Sequence, residues 1–238
     1  MTSKNIFITG ASSGIGREIA RELASKDSRL FLTARNHDRL SALARELSTE
    51  RGAAVDFYEA DLAKNGAVEA ITHWIQEGAQ SLDVVVLDAG YYEEGELSSF
   101  PVDRMRENLE VNFFVNFLFA ESLKGLLLKG KRPRIIIIGS TAAYEAYPLV
   151  PTYGVAKWAL RGLAINLRAE LKSSGIGVTF VSPGPTWTGM WEGEDLPRER
   201  LLEPTDIAKM VHASLQLSAQ AVVDEIIVRP MLGDIHAD

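Results

Sequence analysis

Two side chains four residues apart, Tyr153 and Lys157, carry the sharpest chemical signal in the sequence. On a helix, positions four apart share a face, so phenol and ammonium project into the same space. A free phenol ionises near pH ~10, and a nearby cation favours the phenolate, drawing that value toward a range useful for general acid–base work. Taken alone, a Tyr-x-x-x-Lys is usually an ordinary helix-surface pair. Ser140 gives this one a context. It stands thirteen positions before Tyr153 and follows Ile135–Ile138 and Gly139, an apolar run that reads as a buried strand. Its hydroxyl therefore sits at the carboxyl end of a strand, where open α/β sheets bind ligands.

A second constellation lies near the start of the chain: Thr9-Gly10-Ala11-Ser12-Ser13-Gly14-Ile15-Gly16-Arg17, between a short apolar run and a helical pattern. Glycines in such a turn let the backbone approach a pyrophosphate, which the N–H groups and dipole of the following helix stabilise. The next strand ends Leu32-Thr33-Ala34-Arg35-Asn36. An NAD-specific site needs an acidic residue there to accept from the ribose hydroxyls, and Ala34 cannot. Arg35 can pair with a 2′-phosphate through its planar fork, with Ser12 and Asn36 as helpers, so NADPH is expected over NADH. The competing readings are an ordinary surface arginine for Arg35 and a solvated helix residue for Arg17.

Positioning these groups takes a regular alternation of elements. Short β-branched runs predict about seven strands, at Asn5–Thr9, Arg29–Ala34, Ala53–Glu59, Leu82–Leu87, Arg134–Gly139, Gly177–Ser182 and Val222–Val228. Helical patterns fit Ile15–Ser25, Asp38–Arg51, Asn65–Gly78, Asp103–Leu128, Tyr153–Ser173 and Pro204–Ser218. Strands alternating with helices predict an α/β fold, a doubly wound parallel sheet covered by helices on both faces. No repeat or linker interrupts the series, so residues 1–238 read as one domain, with a substrate loop at about 184–203.

Composition narrows the function classes. With 25 Lys+Arg against 32 Asp+Glu the formal charge is −7, and the absence of a basic cluster argues against nucleic acid or an anionic membrane as partner. Zero cysteines exclude disulfides, thiolate catalysis and Cys-ligated metals. His37, His73, His212 and His236 are too scattered to suggest a metal centre. Met1–Asn5 lacks the basic head and apolar core of a signal peptide, and no run is long enough to span a bilayer; the expectation is a cytoplasmic protein.

The glycine spacing, the Ile-Gly-Ser140 strand end and Tyr153-x-x-x-Lys157 together resemble the short-chain dehydrogenase/reductase family, in its branch with Tyr-x-x-x-Lys, across essentially residues 1–230. The resemblance implies a single-domain Rossmann fold and an NADP(H)-dependent oxidoreductase, a carbonyl reductase in type. It also implies a catalytic set of Asn112, Ser140, Tyr153 and Lys157. Ser140 would bond the substrate oxygen and Tyr153 would protonate it. Lys157 would bind the nicotinamide ribose and depress the Tyr153 pKa, while Asn112, within Val111-Asn112, would hold a water. Asn108 and Asn116 share that helix and match the family less well.

By the same resemblance the cofactor would meet Gly10, Ser12, Ser13, Gly14, Ile15, Gly16, Arg35 and Asn36, then Asp61, Leu62, Ala89 and Gly90, together with Tyr153 and Lys157. From the Pro183-Gly184-x-x-x-Thr188 loop it would meet Pro183, Gly184, Thr186 and Thr188, the last at the carboxamide. Asp61 equally fits a helix N-cap. One departure is plain: Leu87-Asp88 stands where the family usually has Asn-Asn. Beside Ser140 and Tyr153, the substrate would meet Tyr147, Trp187 and Trp191, and Tyr144 and Met190 could join them as apolar walls or could be packing. The substrate would be a small carbonyl or alcohol compound. The helices 103–128 and 153–173, with Phe113, Phe114, Phe117 and Phe119, imply a homodimer or homotetramer. Two other readings are a non-catalytic NADPH-binding sensor or scaffold on the same fold, and an epimerase or dehydratase, which chain length and glycine spacing disfavour.

Overall fold

The computed structural model describes residues 4–147, 150–189 and 197–234. Its strands are β1 Lys4–Thr9, β2 Ser28–Ala34, β3 Ala54–Glu59, β4 Val84–Leu87, β5 Arg134–Ile138, β6 Gly177–Pro183 and β7 Glu225–Val228. They form one seven-stranded sheet in the order β3-β2-β1-β4-β5-β6-β7, with every pairing parallel. The order reverses direction between β1 and β4, which opens a crevice at the carboxyl ends of the two strands. The α-helices are α1 Gly14–Leu23, α2 His37–Arg51, α3 Ala67–Gly78, α4 Val102–Leu109, α5 Val115–Ser122, α6 Lys124–Leu127, α7 Pro151–Leu171 and α8 Pro204–Leu215.

Successive strand residues point to opposite faces, so each apolar strand feeds two cores. Ile6, Ile8, Leu30, Leu32, Val84, Val86, Ile136 and Ile138 pack with Ile19 of α1, Leu40 of α2 and Val211 of α8 on one face. Phe7, Phe31, Val85, Leu87, Ile135, Ile137 and Phe180 pack with Ile71 of α3, Phe119 of α5 and Leu160 of α7 on the other. Both faces of the central strands are thus sealed, which explains why they read as unbroken apolar runs.

The elements differ from the sequence expectation mainly at their ends. β4 and β7 are shorter than the predicted Leu82–Leu87 and Val222–Val228. At the start of β4 the Asp83 carboxylate accepts from the backbone N–H groups of Asn5 (2.8 Å) and Lys131 (2.6 Å), fixing the entry to the strand. The helix predicted from Tyr153 begins two residues earlier, because Pro151 occupies its first turn with a pre-set φ. The helix predicted from Asn65 begins at Ala67 behind Gly66, at φ 81°. The long helix predicted over 103–128 is interrupted, with a π-turn at Glu110–Phe114 between α4 and α5 and a further break at Leu123.

The four phenylalanines of that region also separate. Phe119 is fully buried and meets Phe7 edge-on at 5.1 Å, so it is not surface for a partner, and Phe113 is half-buried against the core. Phe114 and Phe117 remain exposed.

Candidate active site

A cleft of about 1640 Å³ runs along the carboxyl ends of the strands and gathers most of the residues singled out from the sequence. Ser140, at the end of β5, opens a short 3₁₀ turn and accepts from the Ala142 N–H at 3.1 Å. Its hydroxyl lies near enough to the Tyr153 phenol to favour the phenolate. Tyr153 and Lys157 lie on α7 as the spacing required, with the Lys157 Nζ 5.2 Å from the Tyr153 ring centre. The Lys157 ammonium donates to the Ile138 carbonyl at 3.1 Å, which ties α7 to the end of β5.

Electrostatics correct one expectation. Burial holds the Tyr153 pKa up, at about 12, and the Asp88 carboxylate adds to that effect, outweighing the Ser140 hydroxyl. The free protein therefore keeps a neutral phenol, not one depressed by Lys157. Lys157 is itself drawn down to about 8 by burial, opposed by Asp88.

Asn112 sits in the π-turn and is fully buried. The wider turn aims its amide at the loop after β4, where Nδ2 donates to the Tyr91 carbonyl at 2.8 Å. The same amide lies 3.1 Å from the Asn108 carbonyl. Its Oδ1 has no hydrogen-bond partner, and a Cβ on Gly90 would come within 2.5 Å of it. Asn116 serves the helix instead, donating to the Asn112 carbonyl at 3.0 Å.

The glycine loop fits a dinucleotide. Gly10 and Gly14 adopt positive φ, 70° and 55°, turning the chain tightly from β1 into α1. Ser13, the residue before α1, makes no side-chain cap, which leaves first-turn N–H groups for an anion. Gly10, Ser12, Ser13, Gly14, Ile15, Arg35, Asn36, Asp61, Leu62, Ala89, Gly90, Pro183, Gly184, Thr186 and Thr188 all line the cleft.

Gly16 does not line it. A Cβ there would meet the Asp88 Oδ2 at 2.6 Å and the Gly10 carbonyl at 2.7 Å, so its smallness permits close packing of α1 on the strand ends. Asn36 is engaged as the cap of α2, accepting from the Arg39 N–H at 2.9 Å. Asp61 caps a turn before α3, accepting from the Ala63 N–H at 3.1 Å. Arg35 is exposed at the rim, whereas Arg17 pairs with Glu18 at 3.2 Å.

Of the substrate-side expectations, Tyr147 lines the cleft, its hydroxyl 2.6 Å from Asp234 and 2.9 Å from Thr141. The Trp187 ring, predicted for the substrate wall, lies 5.4 Å from the Arg198 guanidinium. Tyr144 is packing, bonded to Glu225 at 2.8 Å and stacked on Arg161 at 4.3 Å. Met190 and Trp191 lie outside the described residues. The cleft also contains groups that motif reading passed over. Arg39 stands one turn beyond Arg35, a spacing of four that could have flagged it, and Arg104 and Glu107 line the mouth. Thr9 accepts from the Asp88 and Ala89 N–H groups at 2.9 and 3.0 Å, clamping β1 to β4 where the sheet reverses.

Among the described residues no cluster of three or more His, Cys, Asp or Glu could hold a metal, and no helix is long and apolar enough to cross a membrane.

Comparison with known proteins agrees with this architecture. Residues 4–198 match the profile described as short chain dehydrogenase. The chain is 31% identical over 241 residues to a sepiapterin reductase of Chlorobaculum tepidum, covering 98% of both. It is similar to an alcohol dehydrogenase of the archaeon Thermococcus sibiricus complexed with 5-hydroxy-NADP, at TM-score 0.90 and 29% identity, covering 99% of this chain and all of that one. A metagenomic short-chain oxidoreductase in complex with NADP superposes at TM-score 0.84 with 28% identity, covering 97% of this chain and 98% of that one. The profile match over most of the chain, the relative at 31% identity and the close superposition on solved structures settle its class: the chain belongs to the short-chain dehydrogenase family and is an oxidoreductase.

Proposed function

We propose that this enzyme is an NADP(H)-dependent carbonyl reductase, exchanging hydride between the nicotinamide and a carbonyl or secondary alcohol of a small molecule. The observation that carries the reading is the convergence of Ser140, Tyr153 and Lys157 on the cleft that the glycine loop opens. When bound, the nicotinamide supplies the hydride. The chain does the rest. Ser140 and Tyr153 hold the substrate oxygen between two hydroxyls, and the protonated phenol gives up its proton as negative charge develops on that oxygen. Lys157, fixed by the Ile138 carbonyl, provides positive charge beside the resulting phenolate. Asn112 presents an unpartnered Oδ1 suited to hold a water behind Lys157 for reprotonation.

Preference for the phosphorylated nucleotide rests on Arg35, with Arg39 beside it on the rim and no acidic residue at the end of β2. Relatives bound to NADP and 5-hydroxy-NADP support the choice. The test is titration with NADPH and NADH, followed by tryptophan quenching, on the wild type and Arg35→Ala. Removing a charge-assisted hydrogen bond worth about 1.5–3 kcal/mol should weaken NADPH roughly 10–100-fold and leave NADH unchanged. Equal affinities in the wild type would overturn the preference. Exposed Phe114 and Phe117 on one side and Val155, Trp158 and Ile165 along α7 support a homodimer or homotetramer built on these helices.

A further inference from the structure

Asp88 is a carboxylate at a point where a carboxylate is costly. It follows β4 on the wall of the cleft, its Oδ2 packed beneath the glycine loop, 3.0 Å from where a Cβ on Gly10 would lie and 2.6 Å from one on Gly16. The backbone N–H of Gly16, in the first turn of α1, favours the charged form of this carboxylate. Asp88 therefore places negative charge, from inside the protein, at the positive end of the helix that an incoming pyrophosphate would use from outside.

The groups around it can be named element by element. The turn between β1 and α1 brings the Gly10 backbone against it, and α1 brings the Gly16 N–H. On α7, Lys157 attracts the carboxylate, and the Tyr153 phenol feels its charge. Among the described residues Lys157 is the one cation acting on Asp88, and it is shared with Tyr153 and the Ile138 carbonyl.

We propose that Asp88 sets nicotinamide nucleotide affinity, its ionised form competing with the pyrophosphate for the N-terminus of α1, so that binding draws a proton onto this carboxyl. The proposal rests on the assignment of the cleft as a dinucleotide site. Burial, opposed by Lys157 and the Gly16 N–H, already lifts the Asp88 pKa to about 7 in the free protein. A neighbouring pyrophosphate pushes in the same direction, since like charge favours the neutral acid. The free protein is ionised at Asp88 above that value, so affinity is highest below it and falls as the pH rises.

The experiment is NADPH titration between about pH 7.5 and 9, above the second ionisation of a phosphate monoester near pH ~6. The wild-type Kd should rise by up to about tenfold per pH unit. Asp88→Asn keeps an acceptor for the Gly16 N–H without the charge; it should bind with a nearly flat profile and about tenfold more tightly at pH ~8.5. Asp88→Ser, which also carries no charge, should behave likewise and serves if the asparagine variant does not fold. A wild-type Kd independent of pH overturns the proposal. So does a neutral variant that keeps the slope or binds more weakly at high pH, because the titrating group is then Lys157. No NADPH binding by any protein at any pH defeats the dinucleotide assignment itself, and this proposal with it.

Discussion

The phenol of Tyr153 rests protonated because burial, reinforced by Asp88, outweighs the opposing effect of the Ser140 hydroxyl. That state suits a proton donor, and it fixes the sign of the pH dependence. With the pKa raised to about 12, the acid form persists through neutral and mildly alkaline solution, so carbonyl reduction should vary little with Tyr153 ionisation between about pH 7 and 9. Alcohol oxidation needs the phenolate and should accelerate by up to about tenfold per pH unit over that range. Initial rates at saturating nucleotide check this; an oxidation rate that stays flat from about pH 7 to 9 would place the titrating acid elsewhere. Tyr153→Phe keeps the ring and removes the hydroxyl. Turnover should fall about 10²–10⁴-fold while NADPH affinity stays nearly unchanged, read by steady-state kinetics and fluorescence titration.

At the scale of elements, the site depends on three strand ends being brought unusually close. Thr9 joins β1 to β4, Lys157 joins α7 to β5, and Gly16 lets α1 approach the Gly10 carbonyl. The last contact leaves no room for a methyl group, since both the Gly10 backbone and the Asp88 side chain stand within 2.7 Å of the position it would take. Gly16→Ala should therefore destabilise the fold by about 1–3 kcal/mol, seen as a lower melting midpoint, and weaken NADPH binding by displacing the loop. Unchanged melting would mean that α1 tolerates a small shift away from the sheet. The π-turn acts at the same scale. One extra residue in the turn, at Glu110–Phe114, carries the Asn112 amide into reach of the Tyr91 carbonyl.

For the whole molecule, the apolar residues left uncovered matter as much as the core. Val155, Trp158 and Ile165 recur at helical spacing on α7 and are all exposed, as are Phe114 and Phe117. Trp158 alone retains 50% of its surface. A helix face of this kind calls for a partner, and a second copy of the same chain would cover it symmetrically. Light scattering of the wild type should give a dimer or tetramer. Trp158→Glu should shift it toward monomer with a well-formed cleft, judged by retained NADPH binding; an oligomer unaffected by this change would place the interface on another face.

Local chemistry was enough, in the sequence, for the alternation of strands and helices, the glycine turn and the Ser140, Tyr153 and Lys157 spacing. Each depends on residues near in the chain: a period of two or of 3.6, a glycine where the backbone turns, four residues along one helix face. The exceptions arose where distant segments meet. The sequence suggested that Lys157 lowers the Tyr153 pKa, but only the folded chain shows burial and Asp88 raising it against the Ser140 hydroxyl. It grouped four phenylalanines as surface, but packing against Phe7 took Phe119 into the core. It gave Trp187 to the substrate, but the tertiary structure set that ring beside Arg198. It marked Asp88 as a departure from the family that adds a negative charge near the cofactor, and the close approach of α1 to the end of β4 decided that this charge lies beneath the glycine loop. Desolvation and side-chain proximity depend on how the whole chain closes around a group, and no local pattern encodes them.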